Sequence, residues 1–222
     1  MVSGVCVAQD SDVNGGAMHI EVIPVGPYAA NSVLLWQVPD QAWVVDPGAD
    51  GGKLLETLRR KGLTPAAVVL THAHFDHISA VNDVVAAYPV PVYLHEADAA
   101  MAFSPLNAMP PYPATRRPAT LDTGKRDGDV LSIGGLSARL IHSPGHTPGG
   151  WCLYFEDDGL LIAGDTVFAG SIGRTDFPGG SPDEMEASLR RLTALPDETR
   201  VVCGHGPMTT MGTEKRSNPY FP

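Results

Sequence analysis

Between Thr71 and His77 the chain reads Thr-His-Ala-His-Phe-Asp-His, placing three imidazoles and one carboxylate within positions 72–77. The whole sequence of 222 residues has only 8 His. A surface gains nothing from such density, and a core would have to satisfy several ring nitrogens at once. Neutral imidazole and carboxylate are standard N and O ligands of a divalent metal, which accounts for the cluster directly. His72 and His74 alternate along an extended segment and point to the same side. Asp76 and His77, at the turn beyond, can face a different point, so one segment can serve two ions.

Three later motifs share one layout, a strand followed by a ligand residue in a glycine-rich turn. They are Ser143-Pro-Gly-His146-Thr-Pro-Gly-Gly150, Ala163-Gly-Asp165-Thr166 and Cys203-Gly-His205-Gly-Pro207. Glycine lets the backbone bend sharply and approach a ligand closely. The donors then divide evenly. His72, His74 and His146 offer three nitrogens to one metal; Asp76, His77 and His205 offer a carboxylate and two nitrogens to a second. Asp165 can bridge them. Four protein ligands per ion leave a position for water, the mark of a catalytic rather than a structural site. Two such ions can clamp the attacking and leaving groups of a hydrolysis. His19, His95 and His142 fall outside these turns and read as structural or supporting residues.

The elements that must position these ligands are strands ending where the ligands begin. Strands are predicted over His19–Val25, Ser32–Val38 and Ala42–Val45, the last ending at Asp46-Pro47-Gly48. Leu54, Leu55 and Leu58 mark a helix that stops at Gly62. Ala66–Leu70 is an uninterrupted apolar run, hence a buried strand, and Ile78, Val81, Val84 and Val85 recur at helical spacing after it. The histidine cluster thus sits at the carboxyl end of a strand, where open α/β sheets place ligands. Val90–Leu94 reads as a further strand. Residues 97–129, with several prolines, read as an early helical turn followed by irregular loop, and loops of that length tend to be functional. Strands resume over Val130–Ile133, Leu136–Ile141, Gly150–Phe155 and Leu160–Ala163, the last two joined by a turn at Asp157-Asp158-Gly159. A helix follows over Asp183–Leu195, started by Ser181-Pro182, and Arg200–Cys203 closes the set. The order is strands first, then alternating α and β.

At 222 residues, with 43% hydrophobic and 18% charged, the chain suits one domain with a substantial core. Its formal net charge of -10 argues against nucleic acid or an anionic membrane surface as partner. Cys6, Cys152 and Cys203 are few and far apart, which fits a reducing, cytoplasmic compartment and small buried hydrophobes rather than disulfides. No run approaches transmembrane length. Residues 1–17 lack the features of a signal peptide and read as a weakly ordered tail before a single domain over 18–222. The partner expected is a small molecule, and the chain itself a monomer or homodimer.

Taken together, the Thr71–His77 cluster, Pro144-Gly-His-Thr-Pro-Gly149, Gly164-Asp165 and Gly204-His-Gly206 resemble the successive motifs of the metallo-β-lactamase superfamily. The resemblance covers the chain from His19 on. It implies an α/β (α+β) four-layer αββα sandwich, two mixed sheets flanked by helices, with two divalent ions at the edge between the sheets. Zinc is the first expectation; iron and manganese suit the same donors. The ending Asp76-His77 resembles the dinuclear hydrolases of the superfamily rather than its antibiotic-degrading lactamases. Gly170-Ser-Ile-Gly-Arg-Thr-Asp-Phe177 and Asn218-Pro219 resemble small bacterial type II glyoxalases, which hydrolyse S-(2-hydroxyacyl)glutathione thioesters. In that reading Asp76 and Asp165 are catalytic as well as metal ligands, with Asp76 orienting the attacking water. The C-terminal helical domain that holds glutathione in full-length type II glyoxalases has no counterpart here. Arg174 matches the family's basic residue at the substrate, and Tyr112, Arg116 and Arg117 stand in for missing substrate contacts. Two alternatives remain at this level. A mononuclear iron persulfide dioxygenase would use His72, His146 and Asp165, and a lactone or other ester hydrolase would use the same metals.

Overall fold

The computed structural model describes residues 16–38, 40–112 and 114–222. Of the tail expected at 1–17, the first fifteen residues, Cys6 among them, lie outside the described residues. The chain forms two six-stranded mixed sheets. The first runs β1 (His19–Val25), β2 (Ala30–Trp36), β3 (Gln41–Val45), β4 (Thr64–Val69), β5 (Val92–Tyr93) and β6 (Leu121–Asp122). It begins as an antiparallel meander and becomes parallel from β3 onward. The second sheet contains β7 (Val130–Ile133), β8 (Leu136–His142), β9 (Trp151–Phe155) and β10 (Leu160–Gly164). Between β10 and the remaining strands lies a small ribbon, β11 (Val167–Phe168) with β12 (Ser171–Ile172). β13 (Arg200–Cys203) then pairs parallel with β10, and β14 (Thr209–Thr210) completes the edge.

Alternation along each strand builds three apolar layers. Val33, Leu35, Trp43, Val45 and Val69 of the first sheet pack on Leu140, Trp151, Leu153, Phe155 and Ile162 of the second. Trp43 and Phe155 meet across this interface at 5.6 Å between ring centroids. Truncating either would cost about 3–5 kcal/mol. The neighbouring residues Leu34, Val44 and Val68 face outward, onto Leu54 and Leu58 of α1 (Gly51–Lys61) and onto Val81 and Val84 of the helix after the cluster. On the far side, Tyr154, Leu161 and Val201 pack on Met185, Leu189 and Leu192 of a late helix. The layer order is αββα, as the resemblance implied. No described helix is long and apolar enough to cross a membrane.

Several expected elements change on inspection. The helix expected after the cluster is two helices, α2 (Phe75–Ile78) and α3 (Val81–Ala87). The break falls where Ala80 N donates to Pro47 O (2.9 Å). Asp76 and His77 therefore lie within α2, not in a turn before it. Residues 97–129 are less irregular than expected. They share α4 (Glu96–Ala102), and a two-residue strand, β6, extends the first sheet. The late helix, α5, runs Pro182–Leu192 with Ser181 Oγ accepting from Glu184 N, as the Ser-Pro start indicated. A sixth helix, α6 (Met211–Ser217), has no apolar periodicity. It is capped by Thr210, whose side chain accepts from Thr213 N.

Candidate metal centre

The four ligand-bearing segments meet at one edge of the sandwich, where three sets of bonds tie the sheets together. Trp151 of β9 donates its backbone amide to Thr71 O (3.0 Å) and its indole N–H to Leu70 O (2.6 Å). This holds the histidine loop of the first sheet against the second. Asn31 of β2 reaches the opposite way: its amide N–H donates to Gly204 O, and its Nδ2 donates to Cys203 O and Gly206 O. Asp98 of α4 joins two ligand loops. Its carboxylate accepts from Ala73 N, Thr147 Oγ1 and Gly149 N at 2.6–2.9 Å.

All seven expected donors converge. His72, His74 and His146 form one trio and Asp76, His77 and His205 another, with donor atoms in each within 4.8 Å of one another. His74 Nδ1 lies 2.8 Å from His146 Nε2, and His77 Nε2 lies 3.2 Å from His205 Nε2. Asp165 stands between the trios. Its carboxylate is 3.4 Å from His146 Nε2, 3.4 Å from His77 Nε2 and 3.7 Å from His205 Nε2.

The remaining ring nitrogens fix the tautomers. His146 Nδ1 faces Arg174 O at 2.7 Å and His205 Nδ1 faces Tyr28 O at 3.0 Å. A carbonyl can only accept, so each Nδ1 carries a proton and each Nε2 faces the site. His77 Nδ1 is held by Asp46 Oδ2 at 2.9 Å. Asp46 also accepts from Thr71 N and Thr71 Oγ1, so it orients His77 rather than serving as a ligand, although it too lies within reach of His72 and His77.

This arrangement fits divalent metal. His72 Nε2 and Asp165 Oδ1 are buried and have no hydrogen-bond partner. Each would be costly unless a metal took its lone pair. The electrostatics of His72 and His74 agree. Burial, with the nearby imidazoles, holds His72 well below the usual histidine range and His74 down at about 3. Both therefore remain neutral, as ligands must. Burial pushes the Asp76 carboxyl up, but its hydrogen bond from His205 and the charge of His77 outweigh this and bring it to about 2.

The expected substrate residues separate. Arg174 is at the rim, its guanidinium in a bidentate pair with Asp176 and 4.0 Å over the Phe177 ring. Tyr112 is buried at 4% exposure. It lies beneath Tyr28, with its ring stacked at 5.8 Å and its hydroxyl accepting from Tyr28 N. Arg116 is exposed, and its main chain is paired with Asn82 of α3, as Arg116 N donates to Asn82 Oδ1 and Arg116 O accepts from Nδ2. Asp46, Asp98, Asn31 and Tyr28 escaped the sequence reading. The only hints were Asp46 in its own strand-end Asp-Pro-Gly and single polar residues inside apolar strands or helices, which must find partners.

Two facing mixed sheets with a histidine-aspartate double metal site at their edge define a metallo-hydrolase. The description "Metallo-beta-lactamase superfamily" matches residues 25–205, and the chain belongs to that superfamily. It is 41% identical over 207 residues to the probable metallo-hydrolase YqgX of Bacillus subtilis (strain 168), covering 90% of this chain and 95% of that one. It is 32% identical over 208 residues to the hydroxyacylglutathione hydrolase GloC of Haemophilus influenzae, covering 92% and 98%. Among solved structures, the BLEG-1 B3 metallo-β-lactamase superposes with a TM-score of 0.85 at 37% identity, covering 91% of this chain and 99% of that one. TTHA1623 in a di-iron-bound form superposes at 0.75 and 39% identity, covering 90% and 98%.

Proposed function

We propose that this protein is a two-metal thioester hydrolase of the type II glyoxalase kind, acting on S-(2-hydroxyacyl) thioesters in the cytoplasm. The observation that carries the reading is the pair of donor trios with Asp165 between them. The similarity to GloC supports the substrate class. Zinc is the proposed metal, since the donors are imidazole and carboxylate; the di-iron form of TTHA1623 keeps iron in view.

Metals held by His72, His74, Asp76, His77, His146, Asp165 and His205 would supply ionised water at neutral pH and polarise the substrate carbonyl. The chain's own groups do the rest. Asp76 Oδ2, 3.3 Å from His205 Nε2, stays ionised and accepts a hydrogen bond from the attacking water, aiming its lone pair at the thioester carbon. The Arg174 and Tyr28 carbonyls keep His146 and His205 in the tautomer that faces the site. Water adds to the carbonyl carbon and the C–S bond breaks. A 2-hydroxy carboxylate and a thiol leave.

A single-iron persulfide dioxygenase would need only His72, His146 and Asp165, leaving the Asp76, His77 and His205 trio without a role. Lactone hydrolysis would use the same groups on an oxygen ester. Purified protein is expected to hydrolyse S-lactoylglutathione, to lose that activity with chelator and to lose it in Asp165→Ala. Activity that survives thorough metal removal would sink the reading, and iron-dependent oxygen uptake with a persulfide would replace it.

A further inference from the structure

Phe177 is 40% exposed, yet its ring centroid lies 5.4 Å from that of His74 and 6.5 Å from that of His146, both of the first donor trio. A side chain that touches ligand rings and still meets solvent stands at the opening of the site. Ligand sites combine a few placed polar groups with aromatic walls, and an exposed ring in such a place gains by being covered.

The ring is held in place from two directions. The Arg174 guanidinium lies over it, 4.0 Å from its centre, and the Asp176 carboxylate grips that guanidinium through Nε and Nη2 at 2.6 and 2.7 Å. A cation stacked on a ring and fixed by a bidentate pair acts as a backing plate. The backbone is pinned on both sides. A Cβ on Gly173 would stand 1.9 Å from Asp165 O and 3.1 Å from His146 Cγ, so the chain enters this loop pressed against two ligand residues. Arg174 O then meets His146 Nδ1 at 2.7 Å. Beyond the ring, Gly180 N donates to Phe177 O and Ser181 N to Gly145 O, both at 2.8 Å. Phe177 is thereby set at a fixed place beside the first trio.

In a thioester hydrolase the reacting carbonyl carbon must lie at the donor trios. A ring touching His74 reaches only groups close to that carbon. In a 2-hydroxyacylglutathione the charged groups of the carrier lie many bonds beyond sulfur, whereas the substituent of the hydroxyl-bearing carbon sits beside the carbonyl. Resting on the thioesterase reading, we propose that Phe177 is a specificity-determining residue that packs on this acyl substituent and favours an apolar, above all an aromatic, one. Asp176 is a positioning residue, acting on the ring through Arg174.

Titration calorimetry of the holoenzyme with two non-hydrolysable thioethers tests this. S-(2-hydroxypropyl)glutathione carries a methyl substituent and S-(2-hydroxy-2-phenylethyl)glutathione a phenyl one, on the same carrier. The phenyl ligand is expected to bind the wild type about tenfold more tightly. Phe177→Ala is expected to bring the two within about twofold, and Phe177→Tyr to keep the wild-type ratio. Asp176→Ala is expected to narrow the ratio about threefold, by freeing Arg174 from the ring. Equal binding by the wild type, no binding of either ligand, or an unchanged ratio in Phe177→Ala would overturn the inference. So would loss of metal from Phe177→Ala, since the ring would then be a prop of His74 rather than a contact of substrate. An unchanged ratio in Asp176→Ala would overturn the positioning role. Hydrolysis of S-lactoylglutathione and S-mandeloylglutathione is assayed in parallel. Failure to hydrolyse either would overturn the thioesterase reading, while the binding ratio, measured without turnover, decides the role of Phe177.

Discussion

Asp46 Oδ2 and His77 Nδ1 lie 2.9 Å apart, a buried pair contributed by the end of β3 and by α2. The same carboxylate takes the amide and the hydroxyl of Thr71, so one side chain sets both a ligand ring and the start of the ligand loop. Asp46→Asn keeps the size but must turn an amide N–H₂ toward a donor. Metal affinity is expected to fall about 10–100-fold, as for other residues that orient a metal-bound imidazole. Competition with a chromogenic chelator measures it; unchanged affinity would count against an orienting role.

Gly204 is forced by crowding rather than by its dihedral angles. A Cβ there would sit 1.9 Å from Asp165 Oδ1 and 3.0 Å from His77 Cε1. Gly204→Ala must therefore displace the carboxylate that stands between the trios. Metal content, measured by elemental analysis, is expected to fall from near two ions per chain to one or fewer. The stability loss is expected to be a modest 1–3 kcal/mol or about that.

Asp98 is fully buried and accepts three hydrogen bonds from two ligand loops. Asp98→Ala would strand all three donors and is expected to destabilise the metal-free protein by roughly 3–5 kcal/mol. Asp98→Asn, which can satisfy part of the set, should cost roughly 1–3 kcal/mol. Urea unfolding of both variants reads the difference. Equal costs would mean that the site tolerates a polar group in either form.

Protonation gives metal uptake a defined pH dependence. In protein stripped by chelator, burial pushes the His77 imidazolium down, but the carboxylates of Asp165, Asp46 and Asp76 outweigh it and raise it to about 10. A raised histidine contributes stability that is fully present below 6.5 and is lost as pH climbs through 10. Metal binding must expel that proton, so affinity should rise with pH across this window by up to about tenfold per unit. Calorimetry in buffers of differing ionisation enthalpy counts the protons released. At the acid end Asp76, lowered to about 2, contributes roughly 2 kcal/mol above 3.8, and this is lost as pH falls toward 2.

The legible part of the site was the part with unusual chemistry at short spacing. His72, His74, Asp76 and His77 announce a metal because no other use explains them together. His146, Asp165 and His205 were found by their shared placement after strands. Asp46, Asp98 and Asn31 are single polar residues in apolar surroundings. Nothing in their spacing says which donors, far away in the chain, will need them. The same limit applies to the fold. Buried runs such as Ala66–Leu70 declare a strand, whereas β6, β11, β12 and β14 are two residues long, shorter than the alternation that would reveal them. The split between α2 and α3 depends on a bond from Ala80 to Pro47, a tertiary event that local periodicity cannot anticipate.

Arg174 serves the metal centre through its carbonyl, while its side chain lies outside at the rim. Every amino acid offers that carbonyl. Position 174 can therefore be redrawn by mutation, changing what the mouth admits, without altering the tautomer of His146. Such a division lets recognition drift across generations while the reactive centre stays intact, which suits a scaffold shared by relatives as differently described as a lactamase and a hydroxyacylglutathione hydrolase.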